Sequence, residues 1–214
     1  NIRLEYGRVY QDAVCIIESE QPEISWALAG ISGSIQTAFR IIVKSEEKVL
    51  WDTGWVKSTS QHVKYAGEKL LPGEIYTLSI QVKDEQDKIS DPELCRFCPG
   101  RLSKWPAEWL CERDEKEDGV ISFIKDIRCD REIASACLFI ATLGYHKVYI
   151  NGHNVFTRPM NPAVSEYQKR AYYTVLPGLE KVLTKGYNRV GINVAAGWRS
   201  PHHVCYKLFN RVAE

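Results

Sequence analysis

Charge of one sign is what this sequence most conspicuously lacks. Its 28 Lys+Arg and 27 Asp+Glu leave a net charge of +1 over 214 residues, which carries no electrostatic footprint for nucleic acid. Long hydrophobic runs are missing as well. No stretch approaches the roughly 20 apolar residues of a membrane helix, and the first residues, NIRLEYGRVY, contain no apolar segment of the secretory type. Neither a nucleic-acid partner nor a membrane partner is expected. Helical periodicity is scarce too, and its best instance, PGLEKVLTKG (177–186), is short. No phosphate-binding glycine loop, GxSxG elbow or HExxH helix occurs, which removes the commonest nucleotide, serine-hydrolase and zinc-protease readings.

Cysteine is present but without a framework. The seven residues, Cys15, Cys95, Cys98, Cys111, Cys129, Cys137 and Cys205, are odd in number and irregularly spaced, which argues against a disulfide-built secreted scaffold. Cys95 and Cys98 form a CxxC, but no second Cys or His pair completes a zinc set. They also lie in a predicted strand, where residues three apart face opposite sides. Buried thiols in a reducing, cytoplasmic compartment are therefore expected, with no metal and no cofactor. His202, His203 and Cys205 cluster in sequence, but adjacent strand residues diverge and no further ligand is evident.

What is present is a succession of short alternating apolar runs punctuated by turn residues. EISWAL (23–28), TAFRIIVKS (37–45), KVLWDTG (48–54), IYTLSIQVKD (75–84), LCRFC (94–98), VISFIKDI (120–127), SACLFIATLG (135–144), KVYI (147–150), AYYTVL (171–176) and NRVGINVAAG (188–197) all read as strands. This spacing predicts an all-β chain of sandwiches. PGRLSKWP (99–106) separates two sets of strands, so two domains are expected, 1–99 and 100–214. The acidic run ERDEKEDG (112–119) reads as a solvated loop. Catalytic carboxylates need a rigid, partly desolvated cleft to separate their pKa values, and a flexible charged run does not supply one.

Within GYHKVYINGHNV (144–155), Val148 and Ile150 point one way and Lys147 and Tyr149 the other. Asn151-Gly152 then supplies the two positive φ angles of a type I′ hairpin turn. The turn is the first role of this pair, with a sugar contact from Asn151 as a secondary one. Tyr145 is expected in the core. Arg170, between Tyr167 and Tyr173, reads either as a fork for sugar hydroxyls or a carboxylate, or as a strand arginine paired with an acid. Trp198, after Gly197, reads either as a stacking face for a sugar ring or as a plug at a domain seam.

Two resemblances sharpen these expectations. Leu70, Pro72, Gly73 and Tyr76 in LLPGEIYTLSIQVKD, with Trp26 in EISW, resemble a fibronectin type III module with its tyrosine corner. Residues 123–198 are similar to the N-terminal jelly-roll domain of bacterial α-L-rhamnosidases, glycoside hydrolase family 78. The matching positions are Ala136, Leu138, Leu143, Gly144, Tyr145, Asn151, Gly152 and Val155. Pro162, Ser165, Tyr167, Arg170 and Tyr173 follow, then Gly186, Asn188, Gly197 and Trp198. WDTGWVKS, with Trp51, Asp52, Gly54 and Val56, resembles the family's W-D-S-G-x-V.

The resemblance implies a fibronectin III-like sandwich followed by a carbohydrate-binding-module-like jelly roll, cut short at its C-terminal end. It implies the non-catalytic N-terminal part of an enzyme that removes terminal rhamnose by inverting hydrolysis. The partners it implies are a rhamnose-containing glycoside, through the whole enzyme, and an intramolecular (α/α)₆ catalytic barrel. The other reading is a freestanding carbohydrate-binding or protein-interaction module. Asn151, Arg170 and Trp198 are the candidate sugar contacts, with no catalytic residue in this chain. Some relatives of the domain bind rhamnose with calcium. Here Phe156 and Thr157 stand where the family often has Gly-Asp, so no calcium site is expected.

Overall fold

Tyr76–Asp84 alternates YTLSIQVKD, and it buries Tyr76, Leu78 and Ile80 on one face while Thr77, Ser79 and Gln81 stand on the other. Such period-two patterning recurs through the described residues of the computed structural model. The structure describes residues 1–5, 7–8, 13–29, 35–46, 48–100, 104–105, 107–111, 120–156, 160–166, 169–195 and 205–213, with Cys111 and the last of these segments described by backbone alone. The chain divides into two units, Asn1–Leu102 and Ser103–Glu214.

The first unit contains β1 (Ile2–Leu4), β2 (Gly7–Arg8), β3 (Val14–Ile17), β4 (Glu23–Trp26), β5 (Gln36–Ser45), β6 (Lys48–Asp52), β7 (Val56–Lys57), β8 (His62–Lys64), β9 (Tyr76–Asp84) and β10 (Glu93–Pro99). One sheet runs β2-β1-β4-β8 and the other β3-β10-β9-β5-β6, with β7 also on β5. Between them lie Leu4, Ile24, Trp26, Phe39, Ile41, Tyr76, Leu78 and Phe97. Along β5 the alternation slips at Ala38 and Phe39, both buried. There the register against β9 shifts, and the extra residue is absorbed as a bulge. The WDTG segment is a second irregularity with a purpose. β6 and β7 both pair with β5, and the chain between them bends at Gly54, whose φ is +59°. Asp52 fixes this bend: it accepts the Gly54 N–H (2.9 Å) and takes Arg40 in a two-pronged pair (3.0 and 2.6 Å).

Trp26 and Tyr76 hold the positions expected of them. The Trp26 ring meets Phe39 edge-on at 5.1 Å, and its Nε1 donates to Gln36 Oε1 (2.8 Å). Buried Gln36 passes its own amide on to the carbonyls of Ser58 and Ser60. The Tyr76 hydroxyl accepts the backbone N–H of Leu71 (2.9 Å), which is the tyrosine corner. Tyr76→Phe should therefore destabilise this unit by about 1–3 kcal/mol, read as a lower urea midpoint for its transition. An unchanged midpoint would remove the corner from the list of stabilising features.

The second unit contains β11 (Trp109–Cys111), β12 (Val120–Cys129), β13 (Ser135–Thr142), β14 (Tyr145–Ile150), β15 (His153–Asn154), β16 (Tyr173–Pro177), β17 (Gly186–Ala195) and β18 (Cys205–Ala213). They form two four-stranded antiparallel sheets, β11-β18-β13-β16 and β12-β17-β14-β15, the strand complement of a jelly roll. Ala136, Leu138 and Ile140 from the first sheet pack with Val148, Ile150, Val190, Ile192 and Val194 from the second. β13 is buried along nearly its whole length, which explains its unbroken apolar run.

The stretch 177–186 forms no α-helix. It makes a single 3₁₀ turn, Leu179–Lys181, entered through Gly178 at φ 80° and closed by the Val182 N–H on the Leu179 carbonyl. Leu179 and Leu183 seal the core there. One turn with two buried leucines satisfies the apolar pattern without a helix.

Candidate functional site

Asn151 and Gly152 have φ of 50° and 84°, and Ile150 and His153 pair directly across them. That is the two-residue hairpin with both central residues left-handed. The Asn151 side chain does more than permit the turn. Its Nδ2 donates to the Val182 carbonyl (3.0 Å) and to Asn188 Oδ1 (2.8 Å). Its Oδ1 accepts the Arg189 N–H (2.9 Å). The amide thus clasps the hairpin to β17 and to the 3₁₀ turn. Both amide protons are engaged, and one Oδ1 lone pair remains for a ligand.

The residue behind it, Asn188, escaped the sequence reading as a site. It is 1% exposed. Its Oδ1 accepts from Asn151, from the Thr184 N–H (2.8 Å) and from the Thr184 hydroxyl (3.3 Å). Its Nδ2 donates to the Thr184 carbonyl (2.6 Å), the Gly186 carbonyl (3.3 Å) and Cys129 Sγ (3.7 Å). The signal was available, since Asn188 shares its parity with the inward-facing Val190, Ile192 and Val194. An asparagine at a core position must be hydrogen-bonded.

Arg170 does not lie on a strand. Its N–H donates to the Glu166 carbonyl (2.9 Å) and its carbonyl accepts the Ser165 hydroxyl (2.8 Å). Its side chain is exposed. Glu166, the nearest acid in sequence, is taken by Lys169 (2.9 Å), and among the described residues no ion pair of Arg170 is found. The expected strand pairing is corrected accordingly. The Arg170 N–H and carbonyl are taken by Glu166 and Ser165, and β16 pairs only from Tyr173 onward, so Arg170 has no cross-strand neighbour. Asn151 sits at the end of one sheet and Arg170 on the approach to the other, and no hydrogen bond joins them. Trp198, Thr157, Tyr167, His202, His203 and the acidic run 112–119 lie outside the described residues.

Tyr145 is half-buried on the face of β14 opposite the core, together with Lys147 and Tyr149. The expectation of a core tyrosine is corrected by strand parity, because His146, Val148 and Ile150 take the inward positions. On that outward face three strands align Ile124, Gly191 and Tyr149, and beside them Ser122, Asn193 and Lys147. Gly191 contributes no side chain between exposed Ile124 and half-buried Tyr149. Ser122 donates to Asn193 Oδ1 (2.9 Å). An apolar platform edged by hydroxyl, amide and ammonium groups suits a neutral polar ligand.

The titratable groups are arranged for structure. Asp126 takes Arg189 through two short bonds (2.7 and 2.8 Å), which hold its carboxyl below the ordinary range. Asp52 is lowered in the same way by Arg40. A general acid needs the opposite shift. Cys95 is buried and its thiol is pushed up to about 12 by burial, which opposes the thiolate that metal binding or redox exchange requires. Cys98 is fully buried. No group of three or more metal-binding side chains occurs among the described residues.

Residues 5–97 match the model of the Rha78A-like N-terminal immunoglobulin domain, and residues 131–207 match the alpha-L-rhamnosidase N-terminal domain. An alpha-L-rhamnosidase of Formosa agariphila is 30% identical over 203 residues, a span that covers 84% of this chain and 22% of that protein. One from Alteromonas is 25% identical over 84% of this chain and 22% of its own length. The chain thus spans about a fifth of these relatives. Among solved structures, the alpha-L-rhamnosidase of Aspergillus terreus superposes with a TM-score of 0.83 at 22% identity, covering all of this chain and 27% of the other. That of Dictyoglomus thermophilum gives 0.74 at 23%, covering all of this chain and 28% of the other.

Proposed function

We propose that this chain, which belongs to the α-L-rhamnosidase family through both of its domains, is the non-catalytic N-terminal part of an enzyme that releases terminal rhamnose. Hydrolysis would proceed with inversion in an (α/α)₆ barrel elsewhere in the protein. The observation that carries this reading is one of proportion: a match over 84% of this chain uses 22% of the relative. The carboxylates agree. Inverting hydrolysis needs one acid kept protonated and a second placed across a water, whereas Asp52 and Asp126 are both held ionised by arginine. The test is the whole protein on an aryl α-L-rhamnoside, with the anomer first released followed by NMR. β-Rhamnose from the α-glycoside supports the reading. No turnover of any rhamnoside, or retention, overturns it.

The second domain would serve chiefly as a structural brace for the barrel. The two candidate sugar contacts among the described residues do not converge: Asn151 has one free lone pair and Arg170 stands on another sheet's approach. Phe156, where the calcium-using relatives often have glycine, is buried against His146 at 4.8 Å. L-Rhamnose should therefore bind in the millimolar range or weaker, with no change on adding calcium or a chelator. Calorimetric titration checks this, and micromolar binding lost in chelator would contradict it.

A further inference from the structure

We propose that the outward face of the β12-β17-β14-β15 sheet binds an acidic glycan chain, with one sugar ring seated over Gly191 and its uronate carboxylate held by Asn193 and Lys147. Three strands align Ile124, Gly191 and Tyr149 across this face. Neighbouring strands lie about 4.8 Å apart, so the two flanking side chains stand roughly 10 Å apart and leave a slot one sugar ring wide. Ile124 is 68% exposed and Tyr149 is half-buried. An apolar wall and an aromatic wall thus meet the C–H surface of a ring while its hydroxyl rim stays in water.

Gly191 is the observation that points to a ligand. Glycine inside a strand weakens it, and it marks a bulge, a bend or the close approach of another molecule. Here the register is unbroken on both sides and the Gly191 φ is not positive. An added Cβ would meet nothing nearer than Tyr149 Cβ, at 3.9 Å. Neither backbone nor packing calls for glycine, which leaves the open slot itself as its use.

The next row on the same face, about 7 Å along the strands, supplies the charge. It holds Ser122, Asn193 and Lys147. The Ser122 hydroxyl donates to Asn193 Oδ1 (2.9 Å), which turns Nδ2 away from β12 with both protons unpartnered among the described residues. On that other side Asn193 opposes Lys147, which is exposed and for which no ion pair is found among the described residues. The acids in and just after β12, Asp126 and Asp130, are taken by Arg189 and Arg128 (2.7 Å each). Amide protons beside an ammonium group make charge-assisted bonds to a carboxylate. A neutral ring on the platform with an acidic substituent at its edge describes a uronate residue. An extended peptide fits less well. It adds to a sheet through free backbone groups at an edge, whereas β17 and β14 are each paired on both sides.

The test titrates the 214-residue chain with tetramers of galacturonate and of mannuronate, with their methyl esters and with polyglutamate, following heat and backbone amide NMR shifts. At least one uronate tetramer should bind at least about tenfold more tightly than its uncharged ester, less tightly in added salt, and shift the amides of 122–124, 147–149 and 191–193. Lys147→Ala should weaken this binding at least about tenfold. Lys125→Ala, which removes an exposed charge of opposite strand parity, should leave it intact. Gly191→Val fills the slot and should abolish it. Binding of neither tetramer overturns the proposal, as do equal affinity for the esters, shifts confined to other residues, or binding that survives both Lys147→Ala and Gly191→Val. Polyglutamate binding equally well with the same shifts overturns it in favour of an acidic peptide. The shift map of the unaltered chain decides the matter even if the valine variant fails to fold. L-Rhamnose carries no carboxylate, so weak binding of the monosaccharide agrees with the proposal, and rhamnoside turnover by the whole protein is a separate readout that its failure would not touch.

Discussion

Asn188→Ala should cost the second domain about 2–4 kcal/mol, the largest loss expected from any single polar side chain in it. The substitution removes a small, 1% exposed amide and leaves several groups without it. The Thr184 N–H and carbonyl lose their partner, as does one proton of the Asn151 amide. The Asn151 bonds to Val182 and Arg189 survive, so the hairpin should persist while its tie to the 3₁₀ turn loosens. Asn188→Asp is the sharper variant. It keeps the shape, but an ionised carboxylate cannot donate to the Thr184 and Gly186 carbonyls and faces both of them. Its deficit against the unaltered protein should be larger at pH 7 than at pH 5, because protonation restores a donor. Urea denaturation of each variant at both pH values measures this. A deficit under about 0.5 kcal/mol for Asn188→Ala would mean that water replaces the amide, and that the knot is not structural.

The same domain should lose about 3 kcal/mol as the pH falls from 6.5 to 4. His146 is 3% exposed, and burial alone pushes its pKa down from 6.5 to about 4. The Thr142 hydroxyl donates to the Gly144 carbonyl (2.7 Å) and so accepts from His146 Nδ1 (2.7 Å). That bond makes Nδ1 the protonated nitrogen of the neutral ring. Nε2 is buried and finds no partner among the described residues, so a proton added there would be a cation with nothing to donate to. Above pH 6.5 the ring is neutral whether folded or unfolded, and the group is silent. Below it the unfolded chain takes up a proton that the native one refuses, at about 1.4 kcal/mol per pH unit. The loss levels off near the folded pKa. Asp126, with its pKa lowered by Arg189, is shifted in the same direction, but its contribution is lost only at more acid pH, below the ordinary carboxylate range. His146→Gln should flatten the slope between pH 6.5 and 4 while lowering stability at neutral pH. A domain equally stable at pH 7 and pH 4.5 would show that the imidazole protonates in place.

Strict alternation made much of this fold legible. β9, β12, β14 and β17 could be read because one face of each is apolar and the other polar, and β13 because its run is buried on both sides. β1, β3 and β8 escaped because IRL, VCII and HVK are too short to display a period. They are strands by virtue of neighbours distant in sequence, such as the parallel pairing of β3 with β10. Tyr76 was legible through the Pro-Gly turn before it. Asn151 was legible as a turn residue, but its clasp on β17 was not, since that depends on which strand lies alongside. Arg170 was misplaced because AYYTVL looks like a strand reaching back to 171, whereas pairing with β13 starts only at Tyr173.

The most direct test is a rate. The purified 214-residue chain and the longer rhamnosidase proposed to contain it are assayed side by side on an aryl α-L-rhamnoside at equal molar concentration. A non-catalytic N-terminal part predicts turnover by the whole enzyme and none above the uncatalysed background by the chain, over the pH range in which both remain folded. Turnover by the chain at a rate comparable to the whole enzyme would place the catalytic acids within these two sandwiches and contradict the reading of the chain as their non-catalytic support.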